Sequence, residues 1–487
     1  MSKVKASLTM IVPDLKEVFW KTKFALVAFL VPLFVRSIPE ILAGPYPIGY
    51  DSITAYIPFM RDWVLGRTGP QFDPVGGSLL FAIFGSVFSL GGLDPVAIVK
   101  SAGPILYGLL GISEYLFCRR VLTWSQQKGL LLVLVSATYF VSLRISWDLL
   151  RNTLGLSFML LTLVVGSSIN SKQKTLAFAG LMLATGLAHL LVGTIVISIT
   201  LLRALVGTRI ERSLIATTLP SIALVVISIV QLSAGGLPIA TSGQTINAFD
   251  EYAYVGYIFL PLIPLAILGY RSLRSTLLKF WLFVCAMGVI LGTTPLAISS
   301  EIVSPERWAF MMFLPLTAYA VEGFYRIKGS GHAYGRYVKH MRWVWISFLL
   351  VLAGSYVALP ASQAFVYYRF FVPTSMMQST IPVEESPNVI ATFQWLSSNM
   401  QPGSVLVMTD PMYGWARQYY SGNQTVLWFH TGETLQAAIQ ATVDQGYSTV
   451  YTVWWSDGLG WYGQPDVPSG SVLEYQAGHF GVFLFSP

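Results

Sequence analysis

Charge is scarce in this chain. Asp, Glu, Lys and Arg make up 11% of its 487 residues, while 54% are hydrophobic and the mean hydropathy is +0.62. A soluble domain carries about 25% charged residues, so the composition excludes one and implies a polytopic membrane protein long enough for about ten spans. Cysteine is scarcer still, at two residues. Cys118 and Cys285 lie at or within apolar stretches without a partner at metal spacing, so neither a disulfide framework nor a zinc site is implied, and both read as core or lipid-facing thiols. Internal repeats and low-complexity segments are absent. The net charge of +7 comes in short Lys and Arg clusters between apolar runs, the pattern of the positive-inside rule, and gives no nucleic-acid signal. No small-residue cleavage site closes the first apolar run. Lys3, Lys5, Lys16, Lys21 and Lys23 precede or open that run, so it reads as a retained anchor with a cytoplasmic N-terminal segment at 1–21.

Apolar runs of span length fall at 22–42, 96–117, 128–146, 152–168, 175–188, 190–206, 213–233, 255–270, 279–297, 308–325 and 343–360. Eleven spans put the C-terminus outside and most Lys and Arg inside, leaving only Asp14, Glu17, Glu114, Glu211 and Glu322 as inner acids. The first external segment, 43–94, holds two stretches expected to be interfacial helices, Asp51 to Leu65 and Gly76 to Leu90. The transmembrane domain so read is 22–360. Beyond it, strand-like stretches at 404–408, 425–428, 449–454, 473–475 and 482–485 alternate with helix-like ones at 388–400, 413–420 and 433–444. That alternation predicts a small α/β domain at 361–487, outside the membrane.

The acidic residues concentrate on the outer side. Asp51, in Pro45-Tyr46-Pro47-Ile48-Gly49-Tyr50-Asp51-Ser52, stands where the first span leaves the bilayer. Asp62, Asp73, Asp148, Asp250, Glu251, Glu301 and Glu306 share that face with Arg144, Arg151 and Arg307. Mixed charges at one membrane face suit an enzyme acting on a lipid phosphate: an arginine holds the anionic leaving group and a carboxylate serves as general base to an acceptor hydroxyl. Each residue also has a plainer reading. Asp51 can be a solvated loop residue, Asp148 can anchor a span end, His189 can cap a helix, and Arg307, at the start of a span, can snorkel. Charge at a span nevertheless marks function often. Tyr46, Tyr50, Tyr56, Trp63, Trp147, Tyr252 and Trp308 read first as interfacial belt aromatics, with sugar stacking the sharper alternative. The sequon Asn423-Gln424-Thr425 is a short pattern frequent by chance. Trp454-Trp455-Ser456-Asp457-Gly458 either lines a binding face or covers a small core.

In its order of parts the chain resembles the GT-C superfamily of membrane glycosyltransferases. Gly49-Tyr50-Asp51-Ser52-Ile53-Thr54-Ala55-Tyr56 looks like the first-loop acidic motif of that superfamily. The resemblance implies Asp51 as base or metal-positioning carboxylate, Asp148 as a second-loop acidic residue, and Asp73-Pro74 as the element before the second interfacial helix. Two stretches resemble the catalytic subunit of oligosaccharyltransferases. Asn247-Ala248-Phe249-Asp250-Glu251-Tyr252 matches its acidic loop motif, and Arg307 with Phe313-Leu314-Pro315-Leu316 matches the arginine that meets the donor phosphate. The WWDYG signature expected near Gly403 to Gly414 is absent.

These resemblances imply an inverting transfer from a polyprenyl-phosphate or polyprenyl-diphosphate sugar, dolichyl carriers included, to a glycan, lipid or protein acceptor on the extracytoplasmic face of the cell membrane. Asp51 and Asp148 are the expected catalytic carboxylates. Arg307, His189 and Arg151 are the expected phosphate ligands, and Asp73, Asp250, Glu251, Tyr50 and Tyr56 the expected substrate contacts. No cofactor is fixed; a divalent cation, Mg2+ or Mn2+, on Asp51 and Asp148 stays open. Oligosaccharyltransferase-like transfer to protein Asn, and a non-catalytic lipid-sugar transporter or assembly subunit, are the alternatives. The scarcity of mid-membrane charge and the unmatched halves argue against a transporter.

Overall fold

Long apolar runs bounded by Ser, Thr, Gly and basic residues become helices, because only a helix satisfies its own backbone polar groups in an apolar medium. The structure, a computed structural model, describes residues 23–64, 75–206, 209–234, 248–293, 305–329, 345, 381, 383–429, 434–455 and 467–486. Its elements are α1 (Lys23–Leu42), a π-helical turn (Ser52–Tyr56), α2 (Ile57–Val64), α3 (Leu79–Gly91), α4 (Pro95–Arg120), α5 (Gln126–Thr138), α6 (Phe140–Asp148), α7 (Leu150–Gly166), α8 (Lys172–Ala188), α9 (Leu190–Val206), α10 (Arg209–Ala234), α11 (Ala248–Phe259), α12 (Ile263–Tyr270), α13 (Thr276–Gly292), α14 (Pro305–Phe310) and α15 (Phe313–Gly329). After a 3-10 turn at Val383–Glu385 come α16 (Ser386–Asn399), β1 (Val405–Thr409), α17 (Asp410–Tyr419), β2 (Thr425–Phe429), α18 (Leu435–Asp444), β3 (Val450–Trp455), β4 (Val472–Ala477) and β5 (Phe480–Phe485). The chain divides into two compact units. One is Met1–Ile38 with Gly69–Ile83 and Ala102–Val357; the other is Pro39–Thr68 with Phe84–Ser101 and Ala358–Pro487.

In the first unit the helices follow the apolar runs, but some runs are broken. Among the described residues three helices are long and apolar enough to cross a membrane: Lys23–Leu42, Pro95–Arg120 and Leu214–Gln231. Two bent pairs raise the number to five. The run at 128–146 bends by 64° between Thr138 and Phe140, and the run at 255–270 bends by 84° between Phe259 and Ile263. Pro261 and Pro264, which cannot continue a helical hydrogen-bond ladder, account for the second break. The first is held at Tyr139, whose hydroxyl donates to the carbonyl of Ile258 and whose ring stacks at 6.4 Å on Phe259. The two breaks are thus tied to each other. The run at 308–325 is also interrupted, at Met311 and Met312. Four further helices, Leu79–Gly91, Leu150–Gly166, Leu190–Val206 and Thr276–Gly292, are apolar but shorter. At 1.5 Å per residue a 17-residue helix rises about 25 Å, less than the roughly 30 Å of a hydrocarbon core. Apart from Trp345, the run at 343–360 lies outside the described residues.

Close packing in this unit relies on missing side chains. A Cβ on Gly269 of α12 would strike the carbonyl oxygen of Tyr319 in α15, and one on Gly323 would strike that of Leu265. Small residues let two backbones meet in this way where lipid supplies no hydrophobic drive. We expect Gly269→Val to destabilise the protein by about 1–3 kcal/mol, the usual range for overpacking. The measurement is thermal unfolding in detergent, and an unchanged midpoint would deny that contact.

The second unit contains a five-stranded sheet in the order β2-β1-β3-β5-β4. β1 runs parallel to β2 and β3, whereas β5 runs antiparallel to both β3 and β4. Every residue of β1, an interior strand between β2 and β3, is buried, and its alternating side chains feed two cores. Leu406 and Met408 meet Val389, Phe393 and Leu396 of α16 and Met412 and Trp415 of α17 on one face. Val405 and Val407 meet Leu435 and Ile439 of α18 on the other. The α/β character expected of the C-terminal region is observed. One member of the first core comes from far away in sequence: Ile53, fully buried, of the π-helical turn. Cys118 and Cys285 are free and buried.

Candidate active site

In the first unit, Arg151 lies against the first turn of α3 and the Gly77 turn before it. Arg151 is the second residue of α7, where a cation gains nothing from the helix dipole. Its guanidinium carbon lies 5.1 Å from the ring centre of Phe81, and Nη1 lies 3.4 Å from where Gly77 would carry a Cβ. That glycine sits in a turn fixed by three backbone donors: Val75 N–H to Gln231 Oε1 at 3.0 Å, Gly76 N–H to Ser228 Oγ at 2.8 Å and Gly77 N–H to the Gly186 carbonyl at 3.1 Å. With φ at +95°, Gly77 occupies a backbone region that side chains rarely adopt.

His189 is the single extended residue between α8 and α9, at φ −159° and ψ 123°. It is 8% exposed. Its Cβ lies 3.1 Å from where Gly155, one turn along α7 from Arg151, would carry its own. Both Arg151 and Arg307 act electrostatically on the imidazole. Arg307, in the short helix α14, makes no ion pair among the described residues. The residues that follow the two arginines, Asn152 and Trp308, each carry a buried side-chain nitrogen with no hydrogen-bond partner among the described residues, as does His189 at Nδ1. Two guanidiniums and an imidazole are groups that can hold an anion.

The approach to Arg151 is set by a residue the sequence reading passes over. Arg36, 1% exposed in α1, donates through Nε to the Ser146 carbonyl at 3.0 Å and through Nη2 to the Trp147 carbonyl at 3.1 Å. Those carbonyls belong to the last turn of α6, which lacks intrahelical partners. Arg36 therefore caps α6 just before the break at Leu149, from which α7 and Arg151 start. Its signal in the sequence is an arginine inside an apolar run, a costly placement that calls for a reason.

In the second unit, Asp51 directly precedes the π-helical turn, with φ −64° and ψ −25° and no side-chain capping bond. It is half-buried and makes no hydrogen bond or ion pair among the described residues. The chain leading to it is stapled by Lys100, another residue hidden in an apolar run. Its ammonium donates to the Glu40 carbonyl at 2.9 Å, to Glu40 Oε2 at 3.0 Å and to the Tyr46 carbonyl at 3.0 Å. Glu40 is 8% exposed. Lys100→Met is expected to cost about 1–3 kcal/mol, because it takes from the buried Glu40 carboxylate its charged hydrogen-bond donor. Adding Glu40→Gln should return part of that loss in a thermal-unfolding comparison, and equal losses in the single and double variants would deny the pairing.

The remaining expected site residues are scattered. Asp73 lies outside the described residues. Asp148 ends α6, and Asp250 and Glu251 lie in the first turn of α11, each with its backbone described and its side chain outside the description. Tyr50 is half-buried. Tyr56 is fully buried and meets Phe84 edge-on at 5.7 Å, so its ring is engaged by the protein. Asp62 pairs with Arg417. Among the described residues no three His, Cys, Asp or Glu side chains gather in a group able to hold a metal ion. No protein-family model matches the chain, and no curated protein matches it.

Proposed function

We propose that the protein is a membrane glycosyltransferase of GT-C type, with eleven spans. It would move a sugar from a polyprenyl-phosphate-linked donor to an acceptor hydroxyl on the extracytoplasmic face. The observation that carries this reading is the pair of guanidiniums, Arg151 and Arg307, that both act on the buried imidazole of His189, three residues drawn from distant stretches. In the reaction, Asp51 takes the proton of the acceptor hydroxyl. The oxygen attacks the anomeric carbon from the face opposite the lipid phosphate, and the bond from that carbon to the phosphate oxygen breaks. The electron pair leaves with the phosphate, and its charge is met by the guanidiniums of Arg151 and Arg307. Catalysis on this scheme is positioning together with charge stabilisation at the leaving group.

The test is a transfer assay on purified protein with a panel of radiolabelled polyprenyl-phosphate sugars and membrane extract as acceptor, with the anomeric configuration of the product determined. Transfer with inversion from one member of the panel is the expected result. Movement of donor lipid between vesicle leaflets, with no acceptor and no release of lipid phosphate, would replace the enzyme by a transporter. Labelling of a sequon peptide would move the acceptor to protein Asn.

A further inference from the structure

A π-helical turn is a rare conformation that persists where its surroundings hold it, commonly beside a functional residue. The turn at Ser52–Tyr56 directly follows Asp51, and what holds it is α17. The Gln418 side-chain amide donates to the Ile53 carbonyl at 2.8 Å, across 365 residues of sequence. Gly414, one helical turn earlier, has no side chain; a Cβ there would lie 2.9 Å from Thr54 Cα and 3.1 Å from the Ile53 carbonyl oxygen. Arg417 pairs with Asp62, and Arg61 donates to the Gln418 carbonyl. Positions 414, 417 and 418 share one face of α17, so a single helical surface fits the whole segment. The Ile53 side chain lies in the core of the sheet domain, against α16 and α17.

We infer that α17, through Gln418 and Gly414, is a positioning element for Asp51, so that the C-terminal domain sets the geometry of the base. This inference rests on the transferase reading above. Asp51 lacks a capping bond of its own, so the direction of its carboxylate depends on the turn that follows it. Gln418 does not touch the reacting atoms; it acts through the Ile53 carbonyl.

The experiment compares wild type with Gln418→Met, which keeps length and volume but removes the amide, and with Gly414→Ala, which presses on the turn from the same face. Hydrogen exchange is read separately over 51–57 and over β1. The expected result is faster exchange at 51–57 with β1 protection retained, together with a 10- to 100-fold fall in kcat and an unchanged donor KM, the order of loss that misplacing a reacting group causes. Unaltered exchange at 51–57, or loss of protection in the turn and in β1 together, would overturn the inference. So would a normal kcat in both variants. If wild-type protein transfers no sugar from any donor, the transferase reading fails, and the exchange result alone decides whether α17 sets the turn.

Discussion

Asp51→Asn will lower sugar transfer by about 100- to 10,000-fold, the range that general acid–base groups contribute, while leaving donor binding and the unfolding midpoint where they are. The split follows from what the carboxylate does in the fold. It makes no hydrogen bond or ion pair among the described residues and caps no helix, so removing its charge breaks no structural contact. Asn has nearly the same shape and is equally tolerated at the start of a helix. On the proposed scheme, what the substitution removes is the ability to accept a proton from the acceptor hydroxyl. The check is kcat, donor KM and thermal midpoint measured on one preparation. A variant that turns over normally would take Asp51 out of the mechanism, and one that unfolds would assign it a structural role.

Most of the secondary structure could be read from the sequence, because long apolar runs leave the backbone little choice and because strand-like and helix-like stretches alternate regularly after residue 385. The breaks are harder to read. Pro261 and Pro264 are visible as helix breakers, but the bend at Tyr139 has no proline, and its hydroxyl partner is the Ile258 carbonyl, 119 residues away. The arginines of the candidate site stand out because they fall among acidic residues on the expected outer side, where the positive-inside pattern leaves few basic residues. Arg36 and Lys100 are also charged but lie inside apolar runs, where the run itself draws the eye. Gln418 bears no mark: it is an ordinary polar residue in an amphipathic helix, and its link to Ile53 exists only once the chain has folded. Residues that act through long-range contacts to backbone carbonyls, as Arg36, Lys100, Tyr139 and Gln418 do, were therefore not legible.

Arg307→Gln is expected to reduce kcat/KM by about 100- to 1,000-fold, the loss that follows removal of one charge-stabilising donor at a leaving oxygen, with no change in the unfolding midpoint. Arg307 forms no ion pair among the described residues, so the folded protein loses little with it. Arg307→Lys keeps the charge but loses the planar fork that engages two phosphate oxygens at once, so its activity should fall between the two. Arg151→Gln should differ in kind. Its guanidinium lies over Phe81 and against the Gly77 turn, so this variant should lose both transfer and thermal stability. On the proposed scheme both arginines meet the same leaving phosphate, so the combined Arg151→Gln, Arg307→Gln protein should lose less than the product of the two single effects. Kinetics and melting curves on the four proteins decide the matter. Normal turnover in Arg307→Gln would move the leaving phosphate away from this cluster, and strictly multiplicative losses would separate the two arginines into different sites.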